Sequence, residues 1–234
     1  MPVFSENFYI IGHRGAAGER FENSLEGFKH ALTLNIDAIE IDIREHSGEL
    51  WVIHDDDLER LTGNAGLFAD HANPSRIRLR NGEAVPTLRQ VLDLYWGRMP
   101  VNIEIKSIAD LDLLLDLLAK YPAPKPAVGL PWIFISSFNH TVIRQLRQHG
   151  CPWPLAPIST GIPLQTADKL KQIAPFSWHF DDETLDFDLV QQLGAQGVPS
   201  LVFTVNDIEH AQYLRQQGVA GIFTDIPTKM AQIS

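Results

Sequence analysis

The chain has 234 residues, of which 44% are hydrophobic and 21% are charged, and this composition suits one α/β domain or two small globular ones. Its formal net charge of −10 argues against nucleic acid as a partner, and its single cysteine excludes an intramolecular disulfide. Because it has no apolar run of membrane-spanning length and no signal-like start, we expect a cytoplasmic protein that does not bind a membrane.

An apolar segment, residues 8–11, is the first predicted strand, and it leads directly into His13-Arg14-Gly15. Continuous apolar runs bounded by turn residues are typical of strands buried in a parallel sheet. Such a strand brings His13 and Arg14 to the carboxyl end of the sheet, where α/β folds hold their functional residues. Taken alone, the segment favours the simpler interpretation of a histidine that ends a strand and an arginine in solvent. A second histidine and three carboxylates at later strand ends favour the functional interpretation.

Residues 25–32 have apolar residues at helical spacing and are predicted to form a helix with one buried face. Asn23 or Ser24 can cap its first turn. For Asn23, capping and a place in a functional site fit the sequence equally well, and Glu22 can also face such a site.

Residues 38–43 alternate strictly, so Glu40 and Asp42 share one face of a predicted strand while isoleucines share the other. The carboxylates either face solvent on an edge strand or lie in a covered parallel sheet, where they need a partner. Two carboxylates at this spacing suit a hard cation with oxygen ligands. After a turn, residues 50–53 run back and place His54 near the same end of the sheet.

Residues 56–83 are polar and irregular, and they interrupt the alternation of strands and helices. A loop of this length within a compact domain is more often functional than accidental. It is predicted either to gate the site or contact the leaving group, or to be a solvated excursion. Arginines alternate with apolar residues over 76–80, which indicates a short exposed strand or extended segment.

From residue 87 onward, helices and strands alternate regularly. The predicted helices cover 87–95, 110–121, 141–148, 165–173 and 185–193, and the predicted strands cover 101–106, 132–136, 155–158, 176–180, 201–205 and 221–225. With 50–53 as an accessory to the second strand, eight strands remain, and they predict an α/β fold of the TIM-type (β/α)8 barrel class with a small insertion after the second strand. An open doubly wound sheet is the alternative, but no Gly-x-Gly-x-x-Gly fingerprint follows any strand.

Acidic, basic and histidine side chains recur on or just after the early strands of this barrel, whose ends converge on one face. The oxygen ligands for one divalent cation, Mg²⁺ or Ca²⁺, would come from Glu40, Asp42 and Glu104. His13 and His54 are better suited to acid–base chemistry beside a hard cation, because histidine holds or releases a proton near neutral pH.

Arg14 and Lys106 are the candidate donors to a phosphate oxygen, although Lys106 can instead pair with a neighbouring carboxylate. A hard metal, two histidines and fixed cations together indicate phosphodiester cleavage. In that reaction one histidine takes the proton of the nucleophile and the other gives a proton to the leaving alkoxide. A different class, a Schiff-base aldolase using Lys106, would form an adduct that borohydride traps. A barrel that only binds a phosphorylated ligand would not need both histidines.

Several ordered motifs lie at spacings familiar from one family: His13-Arg14-Gly15, Glu22-Asn23-Ser24, Glu40-Ile41-Asp42, His54-Asp55, Glu104-Ile105-Lys106 and Gly221-Ile222-Phe223-Thr224-Asp225. From His13 to about Pro227 the chain resembles the glycerophosphodiester phosphodiesterase family. The resemblance implies a single TIM-type barrel domain over residues 1–234, with the insertion at 56–83. It also implies metal-dependent hydrolysis of small glycerophosphodiesters, such as glycerophosphocholine and glycerophosphoethanolamine, to glycerol 3-phosphate and an alcohol.

The same resemblance makes His13 and His54 the acid–base pair, and it makes Glu40, Asp42 and Glu104 the metal ligands. The sequence departs from the family where Ser24 replaces a common threonine and Phe203 replaces a frequent tryptophan. A related barrel phosphodiesterase acting on lysophospholipids or phosphoinositides is the alternative within this chemistry. Two points stay open: which histidine acts first as the base, and whether water or the glycerol hydroxyl is the nucleophile.

Overall fold

A computed structural model describes residues 8–121, 129–163 and 166–233, and in it eight parallel strands close into a barrel. The strands of the described residues are β1 (Tyr9–Gly12), β2 (Ala38–His46), β3 (Glu49–Val52), β4 (Val101–Ser107), β5 (Ile133–Ser137), β6 (Leu155–Ser159), β7 (Trp178–Asp181), β8 (Ser200–Phe203) and β9 (Gly221–Thr224). The ring runs β1-β2-β4-β5-β6-β7-β8-β9 and returns to β1, and β3 pairs antiparallel with β2 outside it. The predicted TIM-type barrel and the accessory role of residues 50–53 are both confirmed.

Helices follow the barrel strands on the outside. They are α1 (Leu25–Ala31), α2 (Glu59–Thr62), α3 (Leu88–Tyr95), α4 (Leu111–Leu118), α5 (His140–Gln148), α6 (Thr166–Ile173), α7 (Phe187–Ala195), α8 (Ile208–Gln216) and α9 (Pro227–Met230), with short 3₁₀ turns at Pro74–Arg76 and Asp182–Thr184. The helix predicted at 185–193 begins at Phe187 instead, because the Asp186 side chain caps it. Gln165, the predicted start of another helix, lies outside the described residues. None of the helices in the described ranges has the length and apolar character needed to span a bilayer.

The apolar core between β2 and the helices determines which way the acidic residues of β2 point. Ile39, Ile41 and Ile43 are buried in one cluster with residues of α3 and α4. Since side chains alternate along a strand, Glu40 and Asp42 point into the barrel, where they are 2% and 0% exposed. The alternative of solvated carboxylates on an edge strand is therefore wrong.

The insertion after β3 is packed on an apolar cluster of its own. This cluster combines residues from β3 with residues of the insertion and its flanks: Trp51, Ile53, Leu58, Leu61, Phe68, Ile77, Leu79 and Val85. The segment predicted as a short exposed strand is extended and buries Ile77 and Leu79, while its arginines face solvent. Most residues of the insertion are exposed, as expected of a solvated excursion, but the apolar cluster anchors the segment against β3.

Candidate active site

The turn after β1 places His13 and Arg14 against β2. A Cβ atom on Gly12 would lie 2.1 Å from the Gly15 carbonyl oxygen, so only glycine permits this tight turn. Arg14 adopts a positive φ of 48°. Its backbone N–H donates to Glu40 Oε2 at 2.8 Å, and the Gly15 N–H donates to the Glu40 carbonyl oxygen at 3.1 Å. The ends of β1 and β2 are thus joined at the site.

The three predicted metal ligands form a buried cluster. Asp42 of β2 and Glu104 of β4 are directly opposite each other in the parallel ladder, and Glu40 lies two residues before Asp42. One carboxylate oxygen from each residue lies within 4.8 Å of the others. Glu40 Oε1 is buried and accepts no hydrogen bond from the described residues. An incompletely paired set of carboxylate oxygens is the donor set that a hard divalent cation prefers, so such an ion fits this cluster.

Burial and mutual repulsion separate the pKa values of these carboxyl groups. Burial raises the pKa of Glu40 well above its ordinary value, and the neighbouring Asp42 and Glu104 raise it further. Burial and Asp42 likewise raise the pKa of Glu104 to about 7. Burial also raises the pKa of Asp42, but Lys106 and Arg14 outweigh it and bring that pKa to about 2. A bound cation would offset the repulsion that now favours protonation of the two glutamates.

Each predicted catalytic histidine has its Nδ1 atom held by an aspartate. His13 Nδ1 lies 2.7 Å from Asp225 Oδ1, and His54 Nδ1 lies 2.5 Å from Asp55 Oδ1. Because an ionised carboxylate only accepts hydrogen bonds, we assign the proton to Nδ1, which leaves Nε2 for chemistry. His13 Nε2 lies 4.0 Å from Glu40 Oε2, beside the acidic cluster.

The charge state of these groups follows from their surroundings. Burial lowers the pKa of His54, and the nearby Lys106 and Arg14 cations add to this against the opposing charge of Asp42. Burial raises the pKa of Asp225, but its hydrogen bonds with His13 and Asn206 bring the pKa below the ordinary value. Asp225 is therefore ionised near neutral pH and keeps the His13 proton on Nδ1.

The two predicted phosphate donors lie in the site and already pair with its carboxylates. Arg14 donates from Nη1 to Glu22 Oε1 at 2.7 Å, and its Nε lies 3.3 Å from Asp42 Oδ2. Lys106 Nζ lies 3.1 Å from Asp42 Oδ1 and also pairs with Glu104. The alternative in which Lys106 pairs with a carboxylate is thus what the structure shows. Both residues are mostly buried.

The surroundings of Lys106 argue against the aldolase alternative. Burial lowers the pKa of Lys106, but Asp42 and Glu104 outweigh it and raise the pKa above its ordinary value. A lysine that forms a Schiff base must lose its proton, and such lysines have lowered pKa values. Lys106 is therefore held as a cation by these carboxylates, which does not suit it to act as an amine nucleophile.

Asn23 belongs to the site, whereas Ser24 is the helix cap. The Asn23 amide donates to Asp42 Oδ2 at 2.9 Å, and Ser24 Oγ accepts from the Gly27 N–H at 3.0 Å. The two interpretations of Asn23 are thus resolved in favour of the site. Ser24 performs the capping role expected of it.

Sequence reasoning assigned no role to three residues that complete the site. Asp225 follows β9, where it holds His13, and Asn206 donates to Asp225 Oδ2 at 2.8 Å. Arg60, from α2 in the insertion, donates to both Asp55 and Glu22. Asp225 had a usable signal, because it follows the last strand as His13 follows the first. Arg60 had none, since a single arginine in an irregular segment resembles any solvated one.

An aromatic pair borders the site on the side of Lys106. Phe138, which follows β5 and is 44% exposed, packs edge-to-face on Phe203 with ring centroids 5.7 Å apart. Lys106 Nζ lies 5.5 Å from the centre of the Phe138 ring. A cavity of about 300 Å³ next to the histidine that follows β1 is lined by His13, Arg14, Ala17, Gly18, Glu22 and Asp225. The site is therefore open to a small molecule next to both a cation and an apolar wall.

Fold and site together define a barrel hydrolase. Its acidic cluster is suited to a divalent metal ion, and its two histidines, each held by an aspartate, are suited to proton transfer. Residues 13–229 match the model of the glycerophosphoryl diester phosphodiesterase family. The chain belongs to this family and is a phosphodiesterase that hydrolyses glycerophosphodiesters.

Three known proteins show how far the similarity extends. A glycerophosphodiester phosphodiesterase of Bacillus altitudinis is 28% identical over 96% of this chain and 97% of its own length. Lysophospholipase D GDPD1 of Homo sapiens is 24% identical over 94% of this chain and 84% of its own length. The structure of an Oleispira antarctica phosphodiesterase in complex with the product sn-glycerol-3-phosphate is 25% identical, covers 100% of both chains and has a TM-score of 0.86.

Proposed function

We propose that this phosphodiesterase cleaves small glycerophosphodiesters, such as glycerophosphocholine and glycerophosphoethanolamine, to glycerol 3-phosphate and an alcohol, with one bound Mg²⁺ or Ca²⁺ ion. The convergence of the Glu40, Asp42 and Glu104 oxygens within 4.8 Å, beside His13, carries this proposal. The similar Oleispira antarctica phosphodiesterase, which is in complex with sn-glycerol-3-phosphate, supports the choice of product.

In this proposal the chain's own residues bind the phosphate and move the protons. Arg14 and Lys106 donate to non-bridging phosphate oxygens. At Nε2, one of His13 and His54 accepts the proton of the attacking hydroxyl, while the other donates a proton to the oxygen of the departing alcohol. One P–O bond forms and one breaks, and the two histidines exchange their protonation states.

The metal ion would be held by Glu40, Asp42 and Glu104. When bound, it would supply positive charge that neutralises the phosphate and stabilises the charge developing in the transition state. The chain orients these ligands in advance: the Arg14 N–H holds Glu40, the Asn23 amide holds Asp42, and Lys106 holds Glu104. Such preorganised groups need little rearrangement during the reaction.

The test is release of glycerol 3-phosphate from glycerophosphocholine, first with EDTA and then with Mg²⁺ or Ca²⁺ restored. We expect release only with metal. If no glycerophosphodiester and no lysolipid is cleaved with either ion, the proposal is wrong.

A second candidate, lysophospholipase D activity, is favoured by the similarity to human lysophospholipase D GDPD1 and by the exposed aromatic side chain of Phe138. Lysophosphatidylcholine in the same assay separates the two candidates. A higher kcat/KM for the lysolipid than for glycerophosphocholine would favour the second.

We further infer that the chain acts in the cytoplasm as a single barrel domain with residues 56–83 as an insertion. The insertion shares its apolar cluster with Trp51 and Ile53, and Cys151 is a buried free thiol. Limited proteolysis should leave the insertion attached to the barrel, and cell fractionation should find the protein in the cytosol.

A further inference from the structure

Arg60 joins the insertion to two carboxylates of the site. Its Nε donates to Asp55 Oδ2 at 2.6 Å. Its two terminal nitrogens donate to the two oxygens of Glu22, at 2.5 and 2.7 Å. Asp55 precedes the insertion and Glu22 belongs to the turn after β1, so one guanidinium connects segments that are distant in sequence.

Each of these carboxylates continues to a residue of the proposed chemistry. The other oxygen of Asp55 lies 2.5 Å from His54 Nδ1. Glu22 Oε1 also accepts a hydrogen bond from Arg14 Nη1 at 2.7 Å. Arg60 is therefore linked to His54 through Asp55 and to Arg14 through Glu22. It contacts neither His54 nor Arg14 directly.

We propose that Arg60 is a positioning residue, which holds His54 through Asp55 and Arg14 through Glu22 in one fixed arrangement. The inference rests on the proposed function, since it takes its meaning from the roles of His54 and Arg14. It gives the insertion a part in catalysis that does not require a moving gate.

The geometry needs an arginine. A guanidinium presents five donors in a rigid plane and can bridge two carboxylates, whereas a lysine ammonium is a compact point charge. Arg60 is itself held by the insertion: Arg80 Nε donates to its carbonyl oxygen at 2.7 Å, and the adjacent Leu61 is buried in the insertion's apolar cluster. The hydrogen bonds with Glu22 and Asp55 raise the pKa of Arg60, so it stays charged at every assay pH.

Loss of this guanidinium should act on two kinetic constants through two routes. Without Arg60, Asp55 Oδ2 loses its donor and the carboxylate turns more freely, so His54 is less well oriented and kcat falls. Glu22 is then left with Arg14 alone and draws it away from the phosphate, so KM rises. Because Arg60 is half exposed, its ion pairs should contribute little to folding stability.

The experiment compares Arg60→Met with Arg78→Met, a matched control in the same insertion. Arg78 donates only to the backbone oxygens of Ser75 and Ile77 among the described residues. We expect Arg60→Met to lower kcat and raise KM, together reducing kcat/KM by about 10- to 100-fold, the range typical of outer-shell groups that orient the ligands of a metal site. Arg60→Lys should recover part of this loss, and Arg78→Met should stay within about twofold of wild type.

Double mutants assign the two routes. If Arg60 acts through Asp55, then Arg60→Met should change kcat less in an Asp55→Asn background than in wild type. If it acts through Glu22, its effect on KM should shrink in a Glu22→Gln background. Equal effects in wild type and in both backgrounds would overturn the proposal.

An NMR measurement keeps the inference testable apart from turnover. In ¹⁵N-histidine-labelled protein, the Nδ1 resonance of His54 should shift in Arg60→Met and not in Arg78→Met. If wild-type protein cleaves no glycerophosphodiester, the proposed function fails, and this resonance alone decides whether Arg60 positions His54. If the resonance, kcat and KM all match the Arg78→Met control while only the melting temperature falls, Arg60 merely stabilises the insertion and the proposal is wrong.

Discussion

His179 gives the sharpest quantitative prediction about this barrel, because it is a histidine enclosed in an apolar interior. The side chain lies on β7, is 1% exposed, and packs against the rings of Phe134 and Phe223. Its Nε2 lies 3.1 Å from Ser177 Oγ. Burial lowers its pKa from an ordinary value of 6.5 to about 3, since the imidazolium would lose its hydration.

The sign of the pH effect follows from where the proton binds. Between pH 6.5 and about 3, His179 binds a proton in the unfolded chain and not in the folded one. Acid therefore favours the unfolded state, and the stability contributed by the neutral side chain is lost as the pH falls through this window. The slope approaches about 1.4 kcal/mol per pH unit below pH 6.5, so the loss between pH 8 and pH 5 is roughly 2 kcal/mol.

The perturbation is His179→Gln, which removes the titrating group and keeps a polar partner for Ser177. The assay is urea unfolding of wild type and variant at pH 8, 6.5 and 5. We expect the variant to be less stable than wild type at pH 8 and to gain roughly 2 kcal/mol relative to it by pH 5. Ser177→Ala is the control: it leaves His179 buried and should keep the wild-type slope. Parallel loss of stability in wild type and His179→Gln would refute the reasoning, and would mean that this histidine is protonated in the folded state.

Three further predictions concern the site. Asp225→Asn should lower kcat about 10- to 100-fold at unchanged metal affinity, because an amide can donate as well as accept and so no longer fixes the proton on His13 Nδ1. Steady-state kinetics and metal titration calorimetry check this. Metal affinity should increase from pH 6 to pH 8, and binding should release protons. The pKa values of Glu40 and Glu104 are raised, to about 7 for Glu104, so below pH 7 protons compete with the ion for these carboxylates. Calorimetry in two buffers measures the affinity and the number of protons released. His13→Ala and His54→Ala should each remove most turnover while leaving the far-ultraviolet circular dichroism unchanged.

The sequence predicted the parts of this site that lie on strands, because strand geometry is regular. Alternation along β2 was enough to place Glu40 and Asp42 on one face, and the ladder then brings Glu104 opposite Asp42. The eight-strand alternation was likewise enough to place the end of β1 at this face, and the turn before β3 returned the chain so that His54 lay near the same end. These inferences need only a period of two and the convergence of strands in a barrel.

The contacts between loops could not be predicted in the same way. His13 and Asp225 are 212 residues apart, and Arg60, on the one-turn helix α2, and Glu22, in the turn after β1, are 38 apart. Asn23 and Ser24 are adjacent residues with similar capping ability, and only the approach of Asp42 distinguishes them. Such pairings depend on how turns pack on one another, and no periodicity in the chain encodes that packing.

The charges of the acidic cluster and of the two cations beside it indicate what the site can bind. When ionised, the cluster of Glu40, Asp42 and Glu104 carries three negative charges. Arg14 and Lys106 beside it carry two positive charges, which leaves one negative charge in this cluster unbalanced. The remaining negative charge is buried, which accounts for the raised pKa of Glu40 in the protein alone. A divalent cation held by these three carboxylates would offset the remaining negative charge and would let the phosphate of a diester meet the ion, Arg14 and Lys106 together. Glu22, Asp55 and Asp225 add three negative charges around this cluster and Arg60 adds one positive charge, so without the cation the site would repel a monoanionic diester.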